Sequence, residues 1–377
     1  MRNALIIALL AAAPLSAQQP RAARPLPAPN AQLEEPWSGP LQLVELKNGD
    51  IVVHDSREKR LVVTSFSSQE QREAARDGSG PLEYRSVMAM WRTVGDSVQI
   101  LDLMQQRILV LDPTGRARRT QPMAGAGDPM ALMRTPFTRT VDAQGRWYGE
   151  GRDMSFEGGR LSFGDSVVVV RTDPRTAKAD SLIKFFNIVR APQISAQVMR
   201  MQVPGYPKYD IWGVFPDGRV MLLRANGYVP EIVLPDGQRR RAAALPYPRL
   251  PVTEADKKAM MDSVQKALDE GLRQSAGMVP AGTQMPRFEL VPPEPWQTEK
   301  PPFTGDRILI DPRGRAWVPV VDRTPGQRYD LLNADGAIVD AIKLPPRVQL
   351  LGFGASGMYT ALRDEDDLLV IRRHPLP

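Results

Sequence analysis

The chain has 377 residues, two histidines and no cysteine, with 49 Lys and Arg against 43 Asp and Glu for a formal charge of +6. Without cysteine there can be no disulfide, no thiolate metal site, no thiol nucleophile and no lipid-modified N-terminal cysteine. The basic excess is scattered, and its densest runs, Arg116 to Arg119 and Arg239 to Arg241, lack interleaved aromatics, so it reads as a solvated surface and not as a nucleic-acid face.

At the N-terminus one positive charge, Arg2, precedes an apolar run from Ala4 to Ala13 and then Pro14-Leu15-Ser16-Ala17. This order is that of a secretory signal peptide over residues 1–17, cleaved after Ala17. The run is too short for a permanent membrane span, and no other stretch reaches its length without a charge. The expectation is an exported protein, periplasmic or secreted. Residues 18–36, with Pro20, Pro25, Pro27, Pro29 and Pro36, read as a semi-rigid tether that could also supply a closing strand.

Seven short turns rich in Asp, Asn and Gly then separate apolar runs: Asn48-Gly49-Asp50, Asp112 to Arg116, Asp142 to Arg146, Pro216 to Arg219, Pro235-Asp236-Gly237, Asp311 to Arg315 and Ala334-Asp335-Gly336. Asp and Asn hydrogen-bond nearby backbone and Gly accepts φ > 0, so each turn reverses the chain between antiparallel strands. Repetition on this scale predicts an all-β fold, a six-bladed β-propeller over residues 37–377.

In chain order, blade one is expected from Leu41 to Leu46, Ile51 to His54 and Leu61 to Phe66. Blade two takes Val87 to Val94, Val98 to Leu101, Ile108 to Leu111 and a polar outer strand after Arg116. Asp55 and Arg60 in blade one recur as Asp102 and Arg107 in blade two at an offset of 47 residues, the strongest internal echo in the chain. Blade three is assigned Arg146 to Gly149, Val167 to Arg171 and Ser181 to Phe186. Blade four is assigned Asp210 to Phe215, Arg219 to Leu223, Val229 to Leu234 and Arg240 to Leu245. Blade five takes Arg307 to Ile310, Ala316 to Val321, Tyr329 to Leu332 and Ala337 to Lys343. Blade six takes Val348 to Phe353, Met358 to Leu362 and Leu368 to Arg372, one strand short, and the segment around Ala31 to Glu35 is expected to close it.

A helical insertion over residues 246–306, between blades four and five, breaks the β pattern. Thr253 and Asp256 have capping-box spacing, and Ala259, Met260, Val264, Ala267, Leu268 and Leu272 recur at helical spacing. Tight turns fall on one face of the disc. The long segments 67–85, 123–137, 187–208 and 246–306 fall on the other, where binding is expected. The helix is expected to lie across that face as a lid over Trp212 and Arg307.

The run Gly78-Ser79-Gly80-Pro81-Leu82-Glu83-Tyr84, with Asp102 to Arg107 leading into Asp112-Pro113-Thr114-Gly115, resembles the bacterial secreted six-bladed β-propellers related to NHL-repeat and TolB-like propellers. Leu82 stands where Gly is usual and Tyr84 where Phe is. The resemblance implies a fold and an exported location, and no activity.

Two histidines, His54 and His374, cannot build a three-histidine zinc site, and no Gly-x-Ser-x-Gly elbow is present. Both read as packing or surface residues. Asp364 to Asp367 reads as a solvated turn, and Met199-Arg200-Met201 as filling of apolar gaps. The ligand-binding candidates are Tyr84, Arg85, Tyr209, Trp212 and Arg307, at or near entries to inner strands, where aromatics and Arg suit a small molecule, a carbohydrate or a protein. Lactonase propellers hold a divalent cation in the channel, so Glu83, Asp210, Asp306 and Asp322 are the candidates for calcium. The leading expectation is a binding protein with no catalytic residues and no cofactor. A metal-assisted hydrolase or lactonase and an envelope scaffold are the alternatives.

Overall fold

The computed structural model describes residues 21–127, 135–157, 160–187, 193–194, 198–275 and 287–377. The signal peptide lies outside the described residues, and so does Ser195 to Gln197 just before the methionine pair. Six antiparallel sheets follow one another around an axis. Blade one is Leu41–Glu45, Ile51–Asp55, Arg60–Thr64 and Gln71–Ala75. Blade two is Ala89–Arg92, Val98–Asp102, Arg107–Leu111 and Ala117–Pro122. Blade three is Phe137–Val141, Trp147–Glu157, Arg160–Asp173 and Lys178–Phe186. Blade four is Ile211–Val214, Val220–Arg224, Val229–Val233 and Arg239–Arg241. Blade five is Leu309–Ile310, Ala316–Val320, Gln327–Leu332 and Ile338–Leu344. Blade six is Val348–Gly354, Gly357–Arg363 and Leu369–His374, with Ala31–Gln32 as its outermost strand.

Three features depart from the pattern read in the sequence. Gln71–Ala75 is the outer strand of blade one although it falls in a segment expected to be loop; it buries only Ala74 and Ala75, so it carries no apolar alternation. Blade three is built on a long hairpin, Trp147–Glu157 with Arg160–Asp173, and gains Phe137–Val141 as its innermost strand. Outside the ring, Val198–Gln202 pairs in parallel with Arg287–Val291 and antiparallel with Gln193–Ile194, tying the connection before blade four to the insertion after it.

The seven tight turns share one hydrogen-bond pattern. In the blade-four example Phe215 N donates to Arg219 C=O at 2.9 Å and Gly218 N donates to Phe215 C=O at 2.9 Å. Gly218 has φ +89°, a conformation that side chains rarely adopt. In blades three and five the turn carboxylate also gathers the side chains that follow. Asp142 accepts from Arg146 Nε at 2.6 Å and Tyr148 Oη at 2.8 Å, and Asp311 accepts from Arg315 Nε at 2.8 Å and Trp317 Nε1 at 3.0 Å. Asp364 likewise accepts Asp366 N and Leu368 N, which makes Asp364 to Asp367 a turn between strands of blade six.

Adjacent blades bury their apolar faces against each other, and each junction has its own cluster. Leu46, Val52 and Val63 of blade one meet Val98, Leu109 and Leu111 of blade two. Val53 and Val62 of blade one meet Tyr359 and Ile371 of blade six, so the ring is closed. The N-terminal segment completes that closure. Ala31 pairs with Arg373 and Gln32 with Arg372, while Leu33 and Trp37 are buried in the same cluster. Upstream, Arg24–Pro25 adds a fifth strand, parallel to Ile342–Lys343 of blade five.

The 47-residue echo is a backbone clamp. Asp55, fully buried, accepts the N–H groups of Ser38, Gly39, Arg57 and Glu58. Asp102, also fully buried, accepts those of Arg85, Ser86 and Gln105 together with Ser86 Oγ. Each carboxylate pins the segment entering its blade to the second-to-third connection of the same blade, satisfying donors that would otherwise be buried unpaired.

His54 lies beneath this loop, edge-on to Tyr84 with ring centroids 5.6 Å apart. Burial lowers its pKa from 6.5 to about 4, against a smaller opposing effect of Asp55. The unfolded chain therefore takes up a proton near pH 6.5 that the folded chain refuses until about pH 4, so stability falls as pH drops across that window. Chemical denaturation at pH 7 and pH 4.5 should show wild type losing about 1–2 kcal/mol more than His54→Gln. Equal losses in both proteins would refute this placement of the proton.

The helix spans Glu254–Ser275 and is capped as read: Thr253 N and Oγ1 donate to Asp256, and Asp256 N donates to Thr253 Oγ1. Its expected role as a lid is not what the structure shows. Among the described residues of the helix none is buried, none joins a core cluster, and none lines the channel described below. Met260, Val264, Leu268 and Leu272 are half-buried. The helix is moored at its N-terminal end, where Lys300 Nζ meets Asp256 at 2.6 Å and Tyr206 Oη donates to Asp256 C=O at 3.1 Å. Those partners belong to the insertion and the preceding connection, which is why the helix is not drawn onto Trp212 and Arg307.

Candidate functional site: the axial channel

The innermost strands of all six blades enclose a cavity of about 580 Å³ on the axis, within the size range of small-molecule sites. Because each inner strand runs from the loop face to the turn face, the order of residues along it gives depth in the channel. Arg307, Trp212 and Arg139 stand toward the loop face. The apolar side chains form a waist in two levels, Leu43, Met90 and Leu351 beside Arg139 and Trp212, and Val141, Val214 and Phe353 deeper, beside Arg92; Thr93 and Asp96 stand at the turn face.

The loop-face end is organised around Glu150, which accepts Trp212 Nε1 at 2.9 Å and lies 3.2 Å from Arg139 Nη1. Arg139 reaches past blade four, its Nη1 donating to Asp306 C=O at 3.3 Å with the Asp306 carboxylate at 3.7 Å. Ile308 N donates to Trp212 C=O at 2.9 Å, and a Cβ at Gly213 would come within 2.7 Å of Ile308 C=O, so blades four and five are locked at this point. Arg307, exposed and lining the cavity, makes no hydrogen bond or ion pair among the described residues. At the turn-face end one carboxylate serves two cations: Asp96 lies 3.3 Å from Lys47 and 4.0 Å from Arg92.

Of the ligand-binding residues expected from sequence, the structure brings Trp212 and Arg307 to the channel. Tyr84 is buried between blades one and two, where burial raises its phenol pKa, and its hydroxyl has no partner among the described residues. Arg85 is exposed and sits over Ser79 and Asp77. Tyr209 is half-buried just ahead of the blade-four inner strand and is not part of the channel lining. Sequence reading missed Arg139, Arg92 and Glu150. The alternation Phe137-Thr138-Arg139-Thr140-Val141, running directly into the Asp142 turn, was the available signal for the first of them.

The residues present do not fit a divalent cation. Glu83 accepts Gly80 N at 2.7 Å, Asp210 pairs with Arg224 at 3.0 Å, and Asp306 sits beside Arg139. Asp322 is paired with Lys343 at 2.8 Å. Against the opposing effect of burial, that contact and Thr324 hold its carboxyl down to about 2. The four candidates belong to separate contacts, and of the two carboxylates in the channel lining, Asp142 is spent on its turn and Asp96 on its cations. Among the described residues no three His, Asp or Glu side chains come together as a metal site.

No family model matches the chain, and no curated protein matches it. Solved structures similar to it include a catalytically inactive virginiamycin B lyase from Staphylococcus aureus, at 9% identity over 91% of this chain and 97% of that one, TM-score 0.45. A gluconolactonase from Xanthomonas campestris is 10% identical over 93% and 94%, TM-score 0.44. The calcium-binding protein regucalcin from Agrobacterium tumefaciens is 11% identical over 92% and 97%, TM-score 0.43. The six sheets of this chain, and not that likeness, define the class: a six-bladed β-propeller with an axial channel and arginines at its loop-face mouth.

Proposed function

We propose that this is an exported binding protein whose axial channel takes a small molecule through the loop face. The observation that supports the reading is Arg307, a guanidinium with five donors that lines a cavity and makes no hydrogen bond or ion pair among the described residues. Trp212 and Arg139 beside it are held in place by Glu150, so the mouth is pre-organised. Binding is favoured over a hydrolase or lactonase because, among the described residues, Asp96, Asp142 and Glu150 beside the channel are engaged by Lys47, by Arg146 and by Arg139 and Trp212. Export rests on the order of residues 1–17.

Gly352 offers a direct test. It lines the channel, and a Cβ built on it would meet no atom within 4 Å, so Gly352→Phe should occupy the cavity without disturbing the ring. A panel of small metabolites should raise the melting temperature of the wild-type protein for a few members. Those shifts should disappear in Gly352→Phe, whose own melting temperature stays within about 2 °C of wild type. Hits that survive in the variant would place binding elsewhere.

A further inference from the structure

We infer that the ligand of this channel is an amphipathic carboxylate, its anionic head at Arg139 and Arg307 and its apolar body along the waist. The inference rests on the channel reading above and adds the chemistry of the occupant. Charge pairing around the cavity is unequal at its two ends. At the turn face Asp96 is shared between Lys47 and Arg92, so each of these two cations has a carboxylate within 4.0 Å, which Arg307 does not among the described residues. At the loop face Glu150 takes Arg139 Nη1, and the Asp306 carboxylate, 75% exposed, lies at the longer distance of 3.7 Å. Arg139 Nε and Nη2 and the whole of Arg307 remain without hydrogen bonds among the described residues.

Guanidinium groups with unused N–H pairs match the planar, two-oxygen geometry of a carboxylate, and such charge-assisted bonds are stronger than neutral ones. Beside and below them Leu43, Met90, Leu351, Val141, Val214 and Phe353 offer no charge and no side-chain hydrogen-bond donor, as far down as Arg92 at the level of Val141 and Val214. A short polar anion would leave that surface wet. A neutral lipid would leave the arginines unused. An acyl or arylalkyl carboxylate satisfies both parts of the cavity at once, and Trp212 at the mouth adds an aromatic wall to the start of the body.

The experiment is calorimetric titration at pH 7 of the full mature chain with decanoate, with 1-decanol as the uncharged counterpart and with acetate as the head alone. Decanoate should bind, and decanol and acetate should each bind at least about tenfold more weakly. Arg307→Gln should weaken decanoate by about tenfold, whereas Arg240→Gln, which removes one charge from the outer edge of blade four, should leave it unchanged. Decanol binding as tightly as decanoate would overturn the anionic head while leaving a binding channel. Acetate binding as tightly would overturn the apolar body. Absence of decanoate binding would overturn the inference as a whole, and the Gly352→Phe panel would still decide separately whether the channel binds anything.

Discussion

Removal of residues 18–36 should cost the folded protein at least about 3 kcal/mol and lower its melting temperature by about 5–10 °C. Leu33 is 1% exposed and packs with Trp37, Tyr359 and Ile371 at the junction of the last and first blades, so its burial alone is worth about 2–3 kcal/mol. The same deletion strips the pairing of Ala31 and Gln32 from Leu369–His374 and leaves that strand as a bare edge. It also removes the Arg24 to Asp340 ion pair, an exposed contact of small value, and the carbonyl of Pro27 that meets His374 Nδ1 at 2.7 Å. Ordering a segment of this length has an entropic cost that deletion recovers, which is why the expected loss is a few kcal/mol and not the sum of its contacts. Leu33→Asp in the full chain provides the companion measurement. If the segment closes the ring, that single change should reproduce most of the loss; if urea midpoints of both variants match wild type, the strand is incidental.

The architecture was legible because its signals are local. A turn such as Asp311-Pro312-Arg313-Gly314-Arg315 declares itself through residue types that favour one backbone path, and seven such turns are enough to mark a ring of hairpins. The helix was legible for the same reason, since Thr253 and Asp256 cap it by contacts three residues apart. What failed was placement. The direction in which Glu254–Ser275 leaves the ring is set by Lys300 and Tyr206, residues distant in sequence whose meeting with Asp256 no periodicity announces. Gln71–Ala75 failed differently, because an outer strand exposed on one side has little apolar pattern to read.

Within the site, Trp212 and Arg307 were found because both sit at the entry to an inner strand whose start the turns had fixed. Arg139 was missed because residues 138–141 were assigned to no strand. Its importance comes from crossing in front of blade four to Asp306, a contact 167 residues away in the chain. Tyr84 illustrates the converse. It precedes the inner strand of blade two, Ala89–Arg92, and the chain there turns inward under Asp102, so the ring disappears into the core beside His54. Proximity to a strand start therefore selects residues near the channel without deciding which way they point.

Asp102→Ala should be the most damaging single substitution in blade two, at about 3–4 kcal/mol. The carboxylate is fully buried and accepts Arg85 N at 3.0 Å, Ser86 N at 3.1 Å, Ser86 Oγ at 3.1 Å and Gln105 N at 3.3 Å. Truncation leaves these donors facing a small cavity in place of a charge, and each one that stays dry costs about 1 kcal/mol or more. Asp102→Asn is the informative partner. Its remaining oxygen keeps one side of the clamp, but its amide places N–H groups against backbone N–H groups, so it should recover less than half of the loss. Asp364→Ala sets the scale, because that aspartate also accepts two backbone N–H groups but in an exposed turn, where water replaces it and the cost should be about 1 kcal/mol. Equilibrium unfolding of the three variants tests the ranking. Equal losses for Asp102→Ala and Asp364→Ala would mean that burial adds nothing to the clamp, and that the segment Gly78 to Ser86 is held by its backbone hydrogen bonds and by the side chains of Gln105 and Arg107.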